Sequence, residues 1–378
     1  MSIASTPPMG WNTWNTFAGK ISADLIMECA DKLVSSGLCD AGYNYLVVDD
    51  FWQNPTRDKN GRLTADPVKF PHGMKPVVDY VHSKGLKFGI YSCAGTLTCG
   101  SLPGSFQHEF DDAATFAEWG VDFLKYDNCQ KPDGIDDHLL YRRMAMALRN
   151  CGKDILFSAC SWGAYGTPDW ARNAGTHMWR STADIFDNWV SVRNIAMSQF
   201  NRAALNGPYS FNDMDMLVVG INGTGHTSEE GCTFDEYQTH FVMWCLMTSP
   251  LFIGCDIRNV DESIMGILKN KELIAINQDI EGRQAYTWKI HNDIDYYGMI
   301  KPLSNGEYAF GLFNLSDSDC VIDNSLNLKF WDIGLPIGYG FELRDVLNHK
   351  NIGIREEFIT ANLKKHACAV YRGRPVKL

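Results

Sequence analysis

Short apolar, β-prone runs recur from residue 8 to about residue 280, and helical spacing fills the gaps between them. The strand candidates are MGWNTW (9–14), YNYLVVDD (43–50), LKFGIYSC (86–93), DFLKYDN (122–128), ILFSACSW (155–162), THMWRST (176–182), a weak one before FNDMDM (211–216), and PLFIGCD (250–256). The stretch SADLIMECADKLVSSG (22–37) shows the intervening pattern: Ser22 suits an N-cap, Leu25, Cys29 and Leu33 form an apolar stripe, and Gly37 suits a stop. Strands alternating with helices predict βα units around a parallel sheet, and eight such units close a (β/α)8 TIM barrel. A doubly wound open sheet is the competitor, but it would want a glycine-rich phosphate turn after an early strand, and none is present.

The pattern changes after AINQD (275–279). AYTWKIHNDIDYYGMI, EYAFGLFNL and ACAVYRG are rich in β-branched and aromatic residues, and turn signals stand at Asn292-Asp293, Ser304-Asn305-Gly306 and Ser316-Asp317-Ser318. This predicts an α/β catalytic barrel over residues 1–284 followed by a small C-terminal antiparallel β-sandwich over 285–378.

Composition narrows the partners. A formal charge of −11 argues against nucleic acid or an anionic membrane, both of which want clustered Lys and Arg. No apolar run approaches the roughly 20 residues of a membrane span. The 11 Trp suit either sugar-stacking platforms or a large core. The 12 Cys include no CxxC pair, so neither zinc nor a redox dithiol is indicated, and no metal or cofactor is expected. MSIASTPPMGWN has no basic and apolar leader pattern, which gives a cytoplasmic expectation, or a secreted one if a signal segment was removed. The sequons at Asn222 and Asn314 decide nothing, and a homo-oligomer stays open.

Active sites of such barrels gather at the C-terminal ends of the strands. There the chain sets Trp14, then Asp49 and Asp50, Tyr91, Lys125 and Asp127, Ser161 and Trp162, Arg180 and Asp184, and Asp213 and Asp215. In a strand, Lys125 and Asp127 share a face, so the cation should favour the ionised carboxylate. One strand-end Asp is ordinarily a helix cap. Carboxylates at four ends, interleaved with cations and aromatics, are what glycoside hydrolysis requires: an acid for the leaving oxygen, a base or nucleophile opposite it, and acceptors for the sugar hydroxyls.

TPPMGWNTW, VVDDFW, GLKFGIYS, FLKYDNC, RSTADIFDNW, FNDMDML and AINQD, in that order over residues 6 to 280, resemble successive motifs of glycoside hydrolase family 27, the α-galactosidase and α-N-acetylgalactosaminidase family. The resemblance implies Asp127 as nucleophile and Asp184 as general acid and base, with Asp187 as second choice for the acid. It implies that Asp49 and Asp50 bind the sugar's 4- and 6-hydroxyls and that Lys125 reaches the 3- and 4-hydroxyls. Trp14 is the implied wall and Tyr91 a lining residue, with Arg180 and Asp215 around the 2-substituent. Cys99 and Cys129 match a family disulfide. Phe51 and Thr176 stand where many members have cysteines, which favours a reducing compartment, and Cys93 replaces a common Asp. The loop 221–234 is longer than in plant-like members and reads equally as a lid, an oligomer contact or an inert insertion.

CSWGAY (160–165) is where the family divides. Galactoside-cleaving members resemble Cys-Glu-Trp here, whereas the small Ser161 and Ala164, with Tyr165 beside them, leave room for an acetamido group. The expected function is therefore an exo-acting retaining α-N-acetylgalactosaminidase acting on carbohydrate. The alternative is an α-galactosidase; a β-L-arabinopyranosidase or a catalytically silent sugar binder is less favoured.

Overall fold

The computed structural model describes residues 3–290, 294–319 and 326–378. Eight parallel strands form the first sheet: β1 (Met9–Asn12), β2 (Tyr45–Val48), β3 (Lys87–Cys93), β4 (Phe123–Asp127), β5 (Leu156–Cys160), β6 (Met178–Arg180), β7 (Phe211–Asp213) and β8 (Leu251–Ile253). From β1 to β7 each strand lies beside its sequence neighbours, and β1 also pairs with β8, so the order 7-6-5-4-3-2-1-8 is that of an αβ barrel. No β7–β8 ladder closes the ring. Leu217 does so, donating its N–H to Phe252 and accepting from Gly254 at 2.7 and 3.0 Å. The weak seventh strand thus falls within FNDMDM rather than before it, because the chain must turn at Asp215 to put Leu217 against β8.

Helices cover the outside. The helix Ala23–Ser35 has the Ser22 hydroxyl accepting from the Leu25 N–H, and it buries Ile26, Cys29, Ala30 and Leu33. Leu25 itself is only half-buried. Inside the barrel Tyr45, Val47, Phe123, Leu156, Met178, Met216 and Phe252 fill the lumen, leaving polar side chains to the upper strand ends.

The C-terminal part is antiparallel. A six-stranded sheet, in the order β14 (Lys350–Arg355), β13 (Tyr339–Asp345), β16 (Cys368–Lys377), β11 (Tyr308–Asn314), β10 (Tyr296–Pro302), β9 (Tyr286–Lys289), faces a pair made of β12 (Leu326–Lys329) and β15 (Phe358–Ala361). Side-chain alternation splits the large sheet's faces. Ile300, Phe310, Leu312, Phe341 and Leu343 pack with Leu328 and Ile359 of the pair, while Met299, Ala309 and Phe313 join the barrel's core. The turns at 304–306 and 316–318 lie between or after strands as expected; the Asn292-Asp293 turn lies outside the described residues. Among the described residues no helix is long and apolar enough to cross a membrane.

Lys301 shares the barrel-facing side and is fully buried there, donating from Nζ to Thr248 Oγ1 at 2.7 Å and to the Ile276 carbonyl at 2.5 Å. Burial lowers its ammonium to about 7, against an ordinary 10.5. The unfolded chain therefore binds this proton more tightly, and the group's contribution to stability rises as pH climbs through 7 towards 10.5. Lys301→Met is accordingly expected to gain Tm relative to the parent at pH 6 and to lose that advantage by pH 9. Thermal melts showing the same difference at both pH values would contradict it.

Candidate active site

Strand register brings the polar ends together. Tyr91 pairs with Lys125 and Cys93 with Asp127 across β3 and β4, while Asp127 pairs with Cys160 across β4 and β5. Residues paired in register point to the same side, so Lys125, Asp127, Ser158 and Cys160 face the lumen side. A cavity opens above them, lined by Trp14, Asp49, Asp50, Tyr91, Lys125, Asp127, Cys160, Trp162, Arg180, Asp184 and Asp215, with Asn15, Cys99, Ile185, Met216 and Thr227.

Each carboxylate has its own mounting. Asp49 Oδ2 accepts from Lys125 Nζ at 2.7 Å and from Asn12 Nδ2 at 2.8 Å, and its N–H donates to Thr13 Oγ1. Asp50 Oδ2 accepts from the Gly100 N–H at 2.8 Å. Asp127 is 6% exposed; its Oδ1 accepts from the Asn128 N–H at 3.0 Å, and its Oδ2 lies 3.6 Å from Cys99 Sγ. Asp184 stands apart, with its side chain 59% exposed at the mouth. Arg180 Nη2 bridges Asp184 Oδ1 at 2.6 Å and Asp215 Oδ2 at 2.8 Å. Asp215 also accepts from the Ile185 and Met216 N–H groups, and its backbone is held at φ 80°, a left-handed conformation that L residues avoid.

Charge is unevenly shared. Lys125 shares Asp127's face as expected and its charge favours the ionised Asp127, while its direct partner is Asp49. Burial pushes the Asp127 carboxyl up to about 6, despite the Lys125 charge and the Asn128 N–H, and Asp49 and Asp184 add to the rise. Burial likewise raises Asp215 to about 6 against the pull of Arg180. Asp184 goes the other way: desolvation opposes its charge, but the Arg180 charge and hydrogen bond outweigh it and hold the carboxyl below its ordinary range. Burial also works against the Lys125 and Arg180 cations, and their carboxylate neighbours override it, so both stay charged.

Cys99 and Cys129 are bridged, with Cα atoms 5.1 Å apart, which ties the loop after β4 to the loop after β3. Among the described residues, the sole cluster of His, Cys, Asp and Glu donors close enough to share a metal ion is Cys99, Asp127 and Cys129, and the disulfide occupies both sulfurs.

The CSWGAY segment departs from expectation. Ser161 is 0% exposed and absent from the cavity lining, and its hydroxyl bonds Thr167 Oγ1 at 2.5 Å. It follows Cys160, so strand alternation turns it outward, and Trp162, with φ 56°, takes the place at the wall. Ala164 opens the 3-10 turn Ala164–Gly166 outside the lining. Tyr165 is 73% exposed beneath the Lys131 ammonium, 4.0 Å from its ring centroid, and does not line the cavity. Asp187 is fully buried and bonded to Tyr237, which removes it as an acid, and Asn188 rather than Asp187 caps the helix Trp189–Ser198. Sequence reading missed Asn12, which holds Asp49, and Phe51, whose ring stacks on Trp14 at 6.2 Å and 5°.

A closed αβ barrel whose strand ends converge five carboxylates and two cations on one sugar-sized cavity is the architecture of a glycoside hydrolase. The family model described as Alpha galactosidase A matches residues 6–279, and Alpha galactosidase C-terminal beta sandwich domain matches 295–372. An alpha-galactosidase of Cyamopsis tetragonoloba is 43% identical over 370 residues, covering 98% of this chain and 86% of the relative. Alpha-galactosidase 3 of Arabidopsis thaliana is 44% identical over 372 residues, covering 98% and 82%. The crystal structure of alpha-galactosidase I from Mortierella vinacea superposes with a TM-score of 0.91 at 34% identity, covering 98% of each chain. The chain belongs to the α-galactosidase family, glycoside hydrolase family 27.

A carboxyl held at about 6 instead of its ordinary 3.8 costs the folded state up to about 3 kcal/mol above pH 6, a cost that disappears as pH falls towards 4. Asp127→Asn is therefore expected to raise Tm at pH 7 and to leave it near the parent's at pH 4. Calorimetry finding Asp127→Asn less stable at pH 7 would mean that its carboxylate is net stabilising.

Proposed function

We propose that this protein is a retaining α-galactosidase that removes terminal α-linked galactose. The observation that carries the reading is the pairing of a buried carboxyl, Asp127, at the cavity's inner end with an exposed one, Asp184, at its mouth. The relatives named alpha-galactosidase over nearly the whole chain support galactose as the sugar. The expectation of an N-acetylgalactosamine preference rested on Ser161 and Ala164. Neither lines the cavity, and together with the relatives' names this supports the alternative as the main reading.

In this reading the terminal ring lies against Trp14, with Asp49, Asp50 and Lys125 taking its hydroxyls. Asp127 attacks the anomeric carbon through Oδ2, since Oδ1 is engaged by the Asn128 N–H. The C1–oxygen bond breaks while Asp184 gives its proton to the departing oxygen, and a galactosyl ester forms on Asp127. Asp184, now ionised, deprotonates a water that attacks C1 and releases galactose with its α-configuration retained. Arg180 has a specific part. Its bond to Asp184 Oδ1 favours the ionised form, so it weakens when Asp184 takes up a proton, and Asp215 is the partner that keeps the guanidinium satisfied meanwhile.

Kinetics with 4-nitrophenyl α-galactoside and its 2-acetamido analogue should favour the galactoside by more than tenfold in kcat/KM, and NMR should find α-galactose as the first product. A preference for the acetamido sugar would restore the N-acetylgalactosaminidase reading, and β-galactose first would remove Asp127 as nucleophile.

The pair works with one proton between them, residing on Asp127 in the free enzyme and needed on Asp184 for bond cleavage. The pH profile of kcat/KM should therefore be bell-shaped with an acidic optimum, its descending limb near 6 and its ascending limb below the ordinary carboxylate range. An optimum at pH 7 or above would contradict this sharing.

A further inference from the structure

The loop 221–234 is fixed at both ends and in the middle. Buried Asp187 accepts from the Gly223 N–H at 2.8 Å, the Cys232 N–H at 3.3 Å and Tyr237 Oη at 2.8 Å. Its backbone is bonded to the loop too, through Asp187 N–H to Thr227 and Gly231 N–H to Asp187. At the centre the His226 and Thr227 N–H groups both donate to the Asn15 carbonyl, at 2.8 and 3.0 Å. Gly225 sits so close to the Trp14 segment that a Cβ would stand 2.9 Å from Thr16 Cα, and its φ of 92° also calls for glycine. A surface insertion without a role has no need of such anchoring.

The anchoring delivers two residues to the cavity. Thr227 lines it. His226 is exposed, and its ring stands edge-on to Trp14 at 5.0 Å and 79°. The cavity runs from buried Asp127 to exposed Asp184, so whatever is attached to the bound sugar leaves past Asp184. His226 lies on that side, near enough for its charge to bear on the Asp184 carboxyl.

Resting on the α-galactosidase reading, we infer that the 221–234 loop is the wall of the leaving-group subsite and that His226 is its specificity-determining residue, selecting leaving groups that are themselves sugars. The two ring nitrogens of an imidazole are hydrogen-bonding groups that match neighbouring sugar hydroxyls. A nitrophenyl leaving group has no hydroxyl to meet them.

The test is the ratio of kcat/KM for an α-galactosyl disaccharide to that for 4-nitrophenyl α-galactoside, in the parent, His226→Ala and His226→Gln. The ratio should fall about tenfold in His226→Ala, chiefly through KM for the disaccharide. His226→Gln, whose amide keeps a donor and an acceptor, should recover part of it. An unchanged ratio, whether both activities fall together or neither falls, would overturn the inference while the parent's hydrolysis of the aryl galactoside still upholds the reading beneath it. A parent inactive on both substrates would overturn the two together.

Discussion

The site is short of positive charge. Asp49, Asp50, Asp127, Asp184 and Asp215 line one cavity with only Lys125 and Arg180 among them, and most of these groups are cut off from water. Burial works against the charged form of the carboxylates, and their like-charged neighbours add to the effect on Asp127 and Asp215. The excess is resolved by geometry: Lys125 goes to Asp49 and Arg180 to Asp184 and Asp215, so Asp127 has no direct cationic partner and its proton is held up to about 6. A carboxylate without a salt bridge is a better nucleophile than a paired one, and a cation shared between two acids is easily moved from one to the other.

The barrel sustains this arrangement at distance. Parallel register lines up Tyr91, Lys125 and Ser158, and then Cys93, Asp127 and Cys160, so two layers of polar ends come from strands far apart in sequence. Backbone amides complete the charge balance: Asn128 on Asp127, Gly100 on Asp50, Ile185 and Met216 on Asp215. These donors are fixed before substrate arrives, so little reorganisation is left for the transition state. Asp184 is the exception, exposed and held by one guanidinium, which suits the proton exchange proposed for it.

Much of this was legible in the sequence, and the failures have physical causes. Alternating strand and helix patterns located the barrel strands, because each is a short apolar run between helices with recognisable caps. The seventh was misjudged because its ladder is three residues long and ring closure passes to Leu217, outside any strand pattern. The specificity box lies off the cavity for a simple reason: Ser158 and Cys160 share Asp127's face, so Ser161 faces outward, as alternation counted from Asp127 implies. The ion pair of Lys125 with Asp49 could not be read from the sequence, because that carboxylate comes from β2's end, two strands away, and only barrel curvature brings it close. The loop beyond residue 220 could not be read at all, since its anchors, Asn15, Asp187 and Tyr237, are scattered along the chain.

The proposed mechanism depends on a covalent bond between an Asp127 carboxylate oxygen and the sugar. The direct measurement is mass spectrometry of the enzyme after reaction with an activated fluorinated galactosyl donor whose second step is slow, followed by peptide mapping. One galactosyl label on the peptide containing Asp127, lost on standing as activity returns, is the predicted result. A label on any other carboxylate, or hydrolysis of ordinary substrate with inversion and no adduct, would contradict it.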